Sequence, residues 1–177
     1  ALVSNTSDLV VTPETAMPLI QQQMPEGYWS ELEAYFAKHT QVALIGLPVA
    51  KSTALGQVQY TNSALALVPQ KSPATVANYQ YDKHHLVPFG EFVPPLFQWF
   101  VRMMNIPLGD FTRGELAQPS LPVKGERIAP NICYEDLFGE ELARSFADPE
   151  KAPTMMVNLS NIAWFGDTVA IDQHLNI

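Results

Sequence analysis

Cysteine, charge and long apolar runs are all scarce in this 177-residue sequence. The lone cysteine, Cys133, cannot form an intramolecular disulfide, so it serves either packing or chemistry. Lysine and arginine number 10 against 18 acidic residues, and a net charge of -8 predicts repulsion from nucleic acid and from anionic lipid. No run reaches the roughly 18 to 20 apolar residues that cross a bilayer, and residues 1–20 lack the pattern of a secretory signal. We therefore expect no nucleic-acid partner and no membrane insertion by these residues.

Hydrophobic residues make up 47% of the chain, enough for one globular domain with a buried core. Short apolar runs bounded by glycine, proline or polar residues predict strands at 8–12, 42–46, 63–68, 127–133 and 154–158. Helical spacing predicts helices over 29–39 and around 137–146, the first preceded by a capping-box pattern at 30–33. This alternation indicates an α/β layered fold, in which Pro130 either demotes one strand or marks an irregular edge.

Cys133 lies where a predicted strand ends and a helix is about to begin. Exposed backbone N–H groups and the helix dipole favour a thiolate at such a position, which is typical of a nucleophile. The alternative is a packed thiol, because free cysteine is among the most buried residue types.

Glu14 and Lys83 are the charged residues that could act with this thiol. Glu14 follows Pro13 just after the first predicted strand, where partial burial would make it a useful base, although an exposed loop glutamate is the alternative. Lys83 lies among aromatic and apolar residues, so it needs a carboxylate partner, and either Glu14 or Glu91 could serve.

The histidines offer two further interpretations. His84 and His85 are adjacent, and on an extended segment they point to opposite faces, so we expect neither a metal site nor another cofactor. A Cys-His dyad with His84, His85 or His174 remains open, although no flanking sequence supports it.

Two segments carry a family resemblance. Glu14, Lys83 and Cys133 stand in the chain order of the Glu, Lys and Cys of the nitrilase superfamily. Segments 81–91 and 164–166 resemble signatures of its apolipoprotein N-acyltransferase branch. The resemblance implies a nitrilase-like α-β-β-α sandwich. Residues 1–177 are expected to form a partial catalytic domain, incomplete at both ends, because the family's domain begins with a strand before the Glu strand and ends with further strands and helices. Members of that branch also carry transmembrane helices before this domain.

The same resemblance implies an activity. A phospholipid would donate an acyl chain to Cys133 as a thioester, and the α-amine of a diacylglyceryl-cysteine apolipoprotein would then attack that thioester. Glu14 would be the base and Lys83 the oxyanion-stabilising cation, with the backbone N–H of Tyr134 as a second donor. The substrate-binding or supporting residues would be Glu91, Tyr134, Glu135, Trp164 and Phe165.

The resemblance also places the enzyme in the bacterial inner membrane with this domain facing the periplasm. Membrane contact would come from transmembrane helices of the parent chain and from the apolar segment 94–104, which could equally complete the core. Two other functions stay open. One is a soluble carbon–nitrogen hydrolase, an amidase, with the same Glu-Lys-Cys triad. The other is a non-enzymatic lipid- or lipoprotein-binding domain in which Cys133 is merely packed.

Overall fold

The computed structural model describes residues 7–69, 74–93 and 111–162, together with Gly166, Val169, Asp172 and Asn176. Within these residues the strands are β1 (Leu9–Val11), β2 (Val42–Ser52), β3 (Val58–Leu67), β4 (Gln80–Asp82), β5 (Leu121–Val123), β6 (Glu126–Ile132) and β7 (Met155–Leu159). The α-helices are α1 (Tyr28–His39), α2 (Ala74–Ala77) and α3 (Gly139–Leu142), and 3-10 turns span Gln21–Gln23, Cys133–Leu137 and Ala143–Phe146.

The strands form two sheets, in the orders β1-β2-β3-β4 and β5-β6-β7. β1 is parallel to β2, and β3 is antiparallel to both β2 and β4, so β1, β2 and β4 run in one direction. In the second sheet β6 is parallel to β7 and antiparallel to β5. The carboxyl ends of β1 and β4 therefore lie at the same end of the first sheet, and the carboxyl ends of β6 and β7 lie at the same end of the second.

The alternation of side chains along β2 divides the core into two layers. Val42 and Leu44 pack with buried residues of the second sheet, including Ile132 and Leu159. The intervening Ala43 and Ile45 point to the opposite face and pack with Phe36, the fully buried residue of α1. Successive strand residues face opposite sides, so β2 is apolar on both faces and lies at the centre of an α/β structure.

The predicted strands and the first helix are confirmed, with two differences in detail. β2 and β3 extend as a long hairpin to Ser52 and Val58, well past the apolar runs that predicted them. The capping box expected at 30–33 is wrong, because α1 begins after Gly27, and the Ser30 hydroxyl donates to the Gly27 carbonyl instead of capping an N–H group.

Pro130 lies inside β6 although proline cannot donate a ladder hydrogen bond. β5 pairs with β6 only as far as Ile128, and the N–H of Ile132 donates to Glu135 rather than to a strand. The backbone N–H groups of residues two apart point to the same side of a strand. Position 130 would therefore direct its N–H to the side of β6 where, beyond Ile128, no described strand pairs with it, and the absence of an N–H in proline breaks no ladder bond. The expectation of an irregular edge at Pro130 is confirmed.

Gly46 allows the loop after β1 to lie directly on β2. A Cβ at this position would overlap the carbonyl oxygen of Pro13 and lie 3.0 Å from the Cα of Glu14. We expect Gly46→Ala to lower the free energy of unfolding by roughly 1–3 kcal/mol, because overpacking strains the backbone, and to displace Glu14. Denaturant unfolding measures this effect, with Gly139→Ala as the control, since a Cβ on Gly139 meets nothing within 4 Å. Equal stability of the two variants would contradict the prediction.

Candidate active site

Glu14 is positioned by the turn that follows β1. The Thr12 N–H donates to the Leu44 carbonyl, and the Gly46 N–H donates to the Thr12 hydroxyl at 3.0 Å, which ties the turn to β2. Thr15 then adopts a left-handed conformation with φ of 49°. Glu14 keeps 12% of its side chain exposed, so its carboxylate is largely removed from water.

Lys83 follows β4 and is 1% exposed. Its backbone is held from both sides, because its N–H donates to Asn62 and its carbonyl accepts from the N–H of Gly114. A Cβ on Gly114 would overlap the Asp82 carbonyl, so only glycine permits this close approach. The backbone around Lys83 is therefore fixed before the side chain makes any contact.

The Lys83 ammonium lies between two carboxylates. Its Nζ is 3.0 Å from Glu14 Oε1 and 2.9 Å from Glu91 Oε2. Asn62 completes the cluster, since its Nδ2 donates to Glu14 at 2.8 Å and to Glu91 at 2.5 Å. Burial alone lowers the pKa of Lys83, but the charges of Glu14 and Glu91 outweigh it and the net pKa is raised. Lys83 is therefore a permanent cation at neutral pH.

Glu91 is held by its own loop. Its Oε2 accepts from the Val87 N–H at 2.8 Å, and its own N–H donates to the Val87 carbonyl at 2.9 Å. The turn between them contains Phe89 with φ of 62°. These bonds fix one side of the Lys83 ammonium and leave the Glu14 side to face the thiol.

Cys133 is the first residue of the 3-10 turn after β6, and its backbone is left-handed, with φ of 56°. Such a conformation is unusual outside glycine and persists where neighbouring contacts enforce it. Here the Nδ2 of Asn158 donates to the Cys133 carbonyl at 2.6 Å and also to the side chain of Asn131. The end of β6 and these two asparagines thus fix the backbone of Cys133 and with it the orientation of the side chain.

The thiol of Cys133 is neutral at rest. Burial raises its pKa first, and the nearby negative charge of Glu14 raises it further. Lys83 and the Ser160 hydroxyl oppose this rise without cancelling it. The Glu14 carboxylate therefore lies near enough to the thiol to affect its ionisation. A thiol of this kind needs a base at the moment of attack, and Glu14 is in place to take its proton.

Tyr134 and Glu135 follow the thiol and hold neighbouring loops. The Tyr134 hydroxyl donates to the Leu86 carbonyl at 3.0 Å, and its ring centre lies 5.8 Å from the Lys83 Nζ. The Glu135 carboxylate is 4% exposed and accepts four hydrogen bonds, from the N–H groups of His84, His85 and Ile132 and from the Tyr81 hydroxyl. Burial raises the pKa of Glu135, and these hydrogen bonds only partly offset that rise.

Removal of the Glu135 carboxylate should be strongly destabilising. Glu135→Ala leaves three backbone N–H groups without their acceptor, and each buried unsatisfied donor costs about 1–3 kcal/mol. We expect a loss of more than about 3 kcal/mol in the free energy of unfolding, measured by denaturant. Glu141→Ala is the control, because that carboxylate is partly exposed and accepts no backbone N–H in the described residues, where it lies 3.2 Å from the His85 ring. If both variants unfold at the same midpoint, Glu135 does not hold the site together.

The rings of His84 and His85 do not join this arrangement. The ring of His84 donates to the Gly114 carbonyl at 2.8 Å, and the ring of His85 stacks on Phe138 beside Glu141. The Cys-His dyad thus finds no support from His84 or His85. Within the described ranges no group of three His, Cys, Asp or Glu residues could hold a metal ion. His174, Trp164, Phe165 and segment 94–104 lie outside the described residues.

Sequence reasoning missed two asparagines of the site. Asn62 is buried in β3, and Asn158 is half-buried in β7 opposite Asn131. An amide that leaves water inside a strand must find hydrogen-bond partners, and the apolar neighbours of Asn158 in β7 were the available signal.

Fold and site define the class of protein. Residues 1–177 match the family model described as carbon-nitrogen hydrolase, so the chain belongs to that family. A solved carbon-nitrogen hydrolase from Helicobacter pylori G27 has a TM-score of 0.55 and is 21% identical, over 96% of this chain and 54% of that one. This likeness confirms the expected nitrilase-like α/β fold.

Within the family, the chain is similar to two proteins named apolipoprotein N-acyltransferase. It is 57% identical to the one from Verminephrobacter eiseniae (strain EF01-2), over 100% of this chain and 32% of the relative. It is 53% identical to the one from Ralstonia nicotianae (strain ATCC BAA-1114 / GMI1000), over 97% of this chain and 31% of the relative. The chain thus spans about a third of the length of the curated relatives it matches. In the part of the chain that the structure describes, no helix is long and apolar enough to span a bilayer.

Proposed function

We propose that this chain carries the catalytic residues of an N-acyltransferase that moves a fatty acyl chain from a phospholipid, through a thioester on Cys133, to an apolipoprotein. The acceptor is the α-amine of an N-terminal diacylglyceryl-cysteine. The observation that carries the proposal is the meeting of the Cys133 thiol with Glu14 and Lys83 at one end of the two sheets. The 57% identity to an apolipoprotein N-acyltransferase supports the choice of substrates.

In the first half-reaction the sulfur of Cys133 attacks the ester carbonyl carbon of the phospholipid. The thiol proton passes to Glu14, the new carbon–sulfur bond forms, and the tetrahedral intermediate collapses as the carbon–oxygen bond breaks. Glu14 returns the proton to the departing lysophospholipid alcohol. The neutral resting thiol and the nearby Glu14 carboxylate suit this order of events.

In the second half-reaction the α-amine of the apolipoprotein attacks the thioester carbonyl. Glu14 takes a proton from the amine, the amide bond forms, and the carbon–sulfur bond breaks to restore the thiol of Cys133. A single base therefore serves both halves, because each half transfers one proton to it and one away from it.

Lys83 stabilises the oxygen that becomes negative in each tetrahedral intermediate. An ammonium has three N–H donors, and the bonds to Glu14 and Glu91 occupy two of them, which leaves the third for this oxygen. The backbone N–H of Tyr134, one residue after the nucleophile, is the second donor in this proposal. Glu91 positions the ammonium, and Glu135 fixes the loop after Lys83. Trp164 and Phe165 are substrate-binding or supporting residues in this proposal, on the family resemblance alone.

The setting of the reaction rests on its substrates and on the family resemblance. A phospholipid donor and a lipidated acceptor both reside in a membrane, which suits a membrane-bound enzyme. From the resemblance we place the protein in the bacterial inner membrane, with residues 1–177 as a partial catalytic domain facing the periplasm. Transmembrane helices of the parent chain supply the anchor, and segment 94–104 adds an apolar contact with lipid.

The test of this function is transfer to a defined amine. The full natural protein containing this sequence is reconstituted in phospholipid vesicles with a synthetic diacylglyceryl-cysteine peptide. Its control is the same peptide with an acetylated α-amine. We expect mass spectrometry to show one added acyl chain on the free amine only. Ammonia release from small amides without acylated peptide would instead assign a carbon–nitrogen hydrolase. An absence of both reactions in a folded protein would favour a binding domain.

A further inference from the structure

Ser160 stands beside the nucleophile because of the register between two parallel strands. β6 and β7 pair residue by residue, and their last pair is Ile132 with Leu159. The residue after each strand is Cys133 in one case and Ser160 in the other. Neighbouring parallel strands place successive residues side by side, so Ser160 emerges next to Cys133 at the same edge of the sheet.

The hydroxyl of Ser160 is buried, and within the described part of the chain it has no hydrogen bond of ordinary geometry. A buried hydroxyl in this state has lost its hydrogen bonds to water without gaining others. This loss costs free energy, so the hydroxyl calls for a functional explanation. The same hydroxyl nevertheless lies near enough to the Cys133 sulfur to favour its negative form. Its donor is thus available to the sulfur.

The residue after Ser160 ties the same segment to the base. The Nδ2 of Asn161 donates to the backbone carbonyl of Glu14 at 3.4 Å. Segment 160–161 therefore lies beside the nucleophile at Ser160 and bonds to the turn that holds the base at Asn161. This places the Ser160 hydroxyl between two parts of the site and limits how far it can move.

We propose that the Ser160 hydroxyl donates a hydrogen bond to the sulfur of Cys133 as the thiol proton passes to Glu14, and so stabilises the forming thiolate. The charged and titratable groups that face this sulfur are Glu14, Lys83 and Tyr134. Glu14 disfavours the thiolate and Lys83 favours it, and Ser160 adds a neutral donor on the side of β7. A hydroxyl can also follow the sulfur when the acyl group arrives, since it rotates freely about its C–O bond.

The inference goes beyond the acyl-transfer proposal and is tested without it. The rate of alkylation of Cys133 by iodoacetamide, measured against pH, reports the thiolate directly, and Cys133 is the only cysteine of this sequence. In the full natural protein any other cysteine is excluded by mapping the alkylated peptide. We expect Ser160→Ala to move the inflection to higher pH and to slow alkylation at neutral pH about tenfold, because a hydrogen bond to a charged group is lost.

Two further variants separate the hydroxyl from general packing. Ser160→Thr keeps the hydroxyl and should return the inflection toward that of the parent. Ser63→Ala removes another buried hydroxyl, which donates to Asp82 at 2.6 Å, and should leave the thiol profile unchanged. A Ser160→Ala profile that overlays the parent would overturn the proposal, and so would a folded Ser160→Thr variant whose inflection is shifted as far as that of Ser160→Ala. If the parent protein transfers no acyl chain but Ser160→Ala still shifts the alkylation profile, that result would count against the proposed function and not against the role of Ser160.

Discussion

Replacement of Lys83 by methionine is expected to lower kcat/KM for acyl transfer by more than about 10³-fold. Removal of one oxyanion donor typically lowers kcat by about 10²–10³-fold, and this substitution also removes the cation that Glu14 and Glu91 share. Without the ammonium, Glu14 and Glu91 share the amide of Asn62 with no cation between them. The two like charges then repel each other across this amide, which disturbs the placement of Glu14 as the base.

Lys83→Met should also make the thiol harder to ionise. Lys83 lowers the pKa of Cys133, against the larger opposing effects of burial and of Glu14, so its removal raises that pKa further. Alkylation by iodoacetamide should then require higher pH than in the parent. Lys51→Met is the matched control, since Lys51 pairs with Asp82 at 2.7 Å but is 47% exposed. Comparable transfer rates in the Lys83 and Lys51 variants would show that the buried ammonium does not stabilise the reaction.

Glu14→Gln should have the second-largest effect and a distinctive signature. An amide cannot accept the thiol proton, so we expect transfer to fall by about 10²–10⁴, the usual contribution of a general base. The thiol should behave in the opposite way. Burial and the charge of Glu14 raise the pKa of Cys133, so removal of that charge lowers the pKa and moves alkylation to lower pH. The variant thus combines an easier thiolate with a slower enzyme.

The paired measurements distinguish a base from a structural carboxylate. Acyl-transfer assays at saturating substrate give kcat. For the same preparation, the rate of Cys133 alkylation measured across pH gives the pH at which the thiol ionises. Glu33→Gln is the control, because Glu33 is an exposed carboxylate of α1, the helix that packs on the face of β2 opposite to the second sheet, and neither quantity should change. A Glu14→Gln variant with parental kcat, or with the thiol inflection moved upward, would contradict the assigned role.

The strand positions and the grouping of three distant residues could be predicted from the sequence because both depend on simple constraints. Short apolar runs bounded by proline or glycine mark buried strands, and functional groups follow the ends of such strands in α/β proteins. Lys83 in an apolar setting required a carboxylate, and the structure supplies both of the candidates, Glu14 and Glu91. The order of Glu14, Lys83 and Cys133 along the chain carried the family resemblance.

The hydrogen-bond partners could not be predicted because they depend on register and on close backbone approach. Which residue stands beside Cys133 follows from the pairing of β6 with β7, and a shift of one residue would replace Ser160 by a neighbour. The amide of Asn62 bridges two carboxylates from different loops, which no local pattern encodes. The start of α1 departs from the prediction for a similar reason, since Gly27 ends the preceding turn in a left-handed conformation and displaces the expected cap.

The central claim is that Cys133 carries the acyl group. The most direct measurement is the intact mass of the full natural protein after incubation with phospholipid and no acceptor, beside its Cys133→Ala variant. We predict an adduct with the mass of one acyl chain on the parent only, released by hydroxylamine as a thioester is and discharged by a diacylglyceryl-cysteine peptide. A folded parent with an alkylatable thiol and no adduct, or an adduct that persists in the Cys133→Ala variant, would contradict the account.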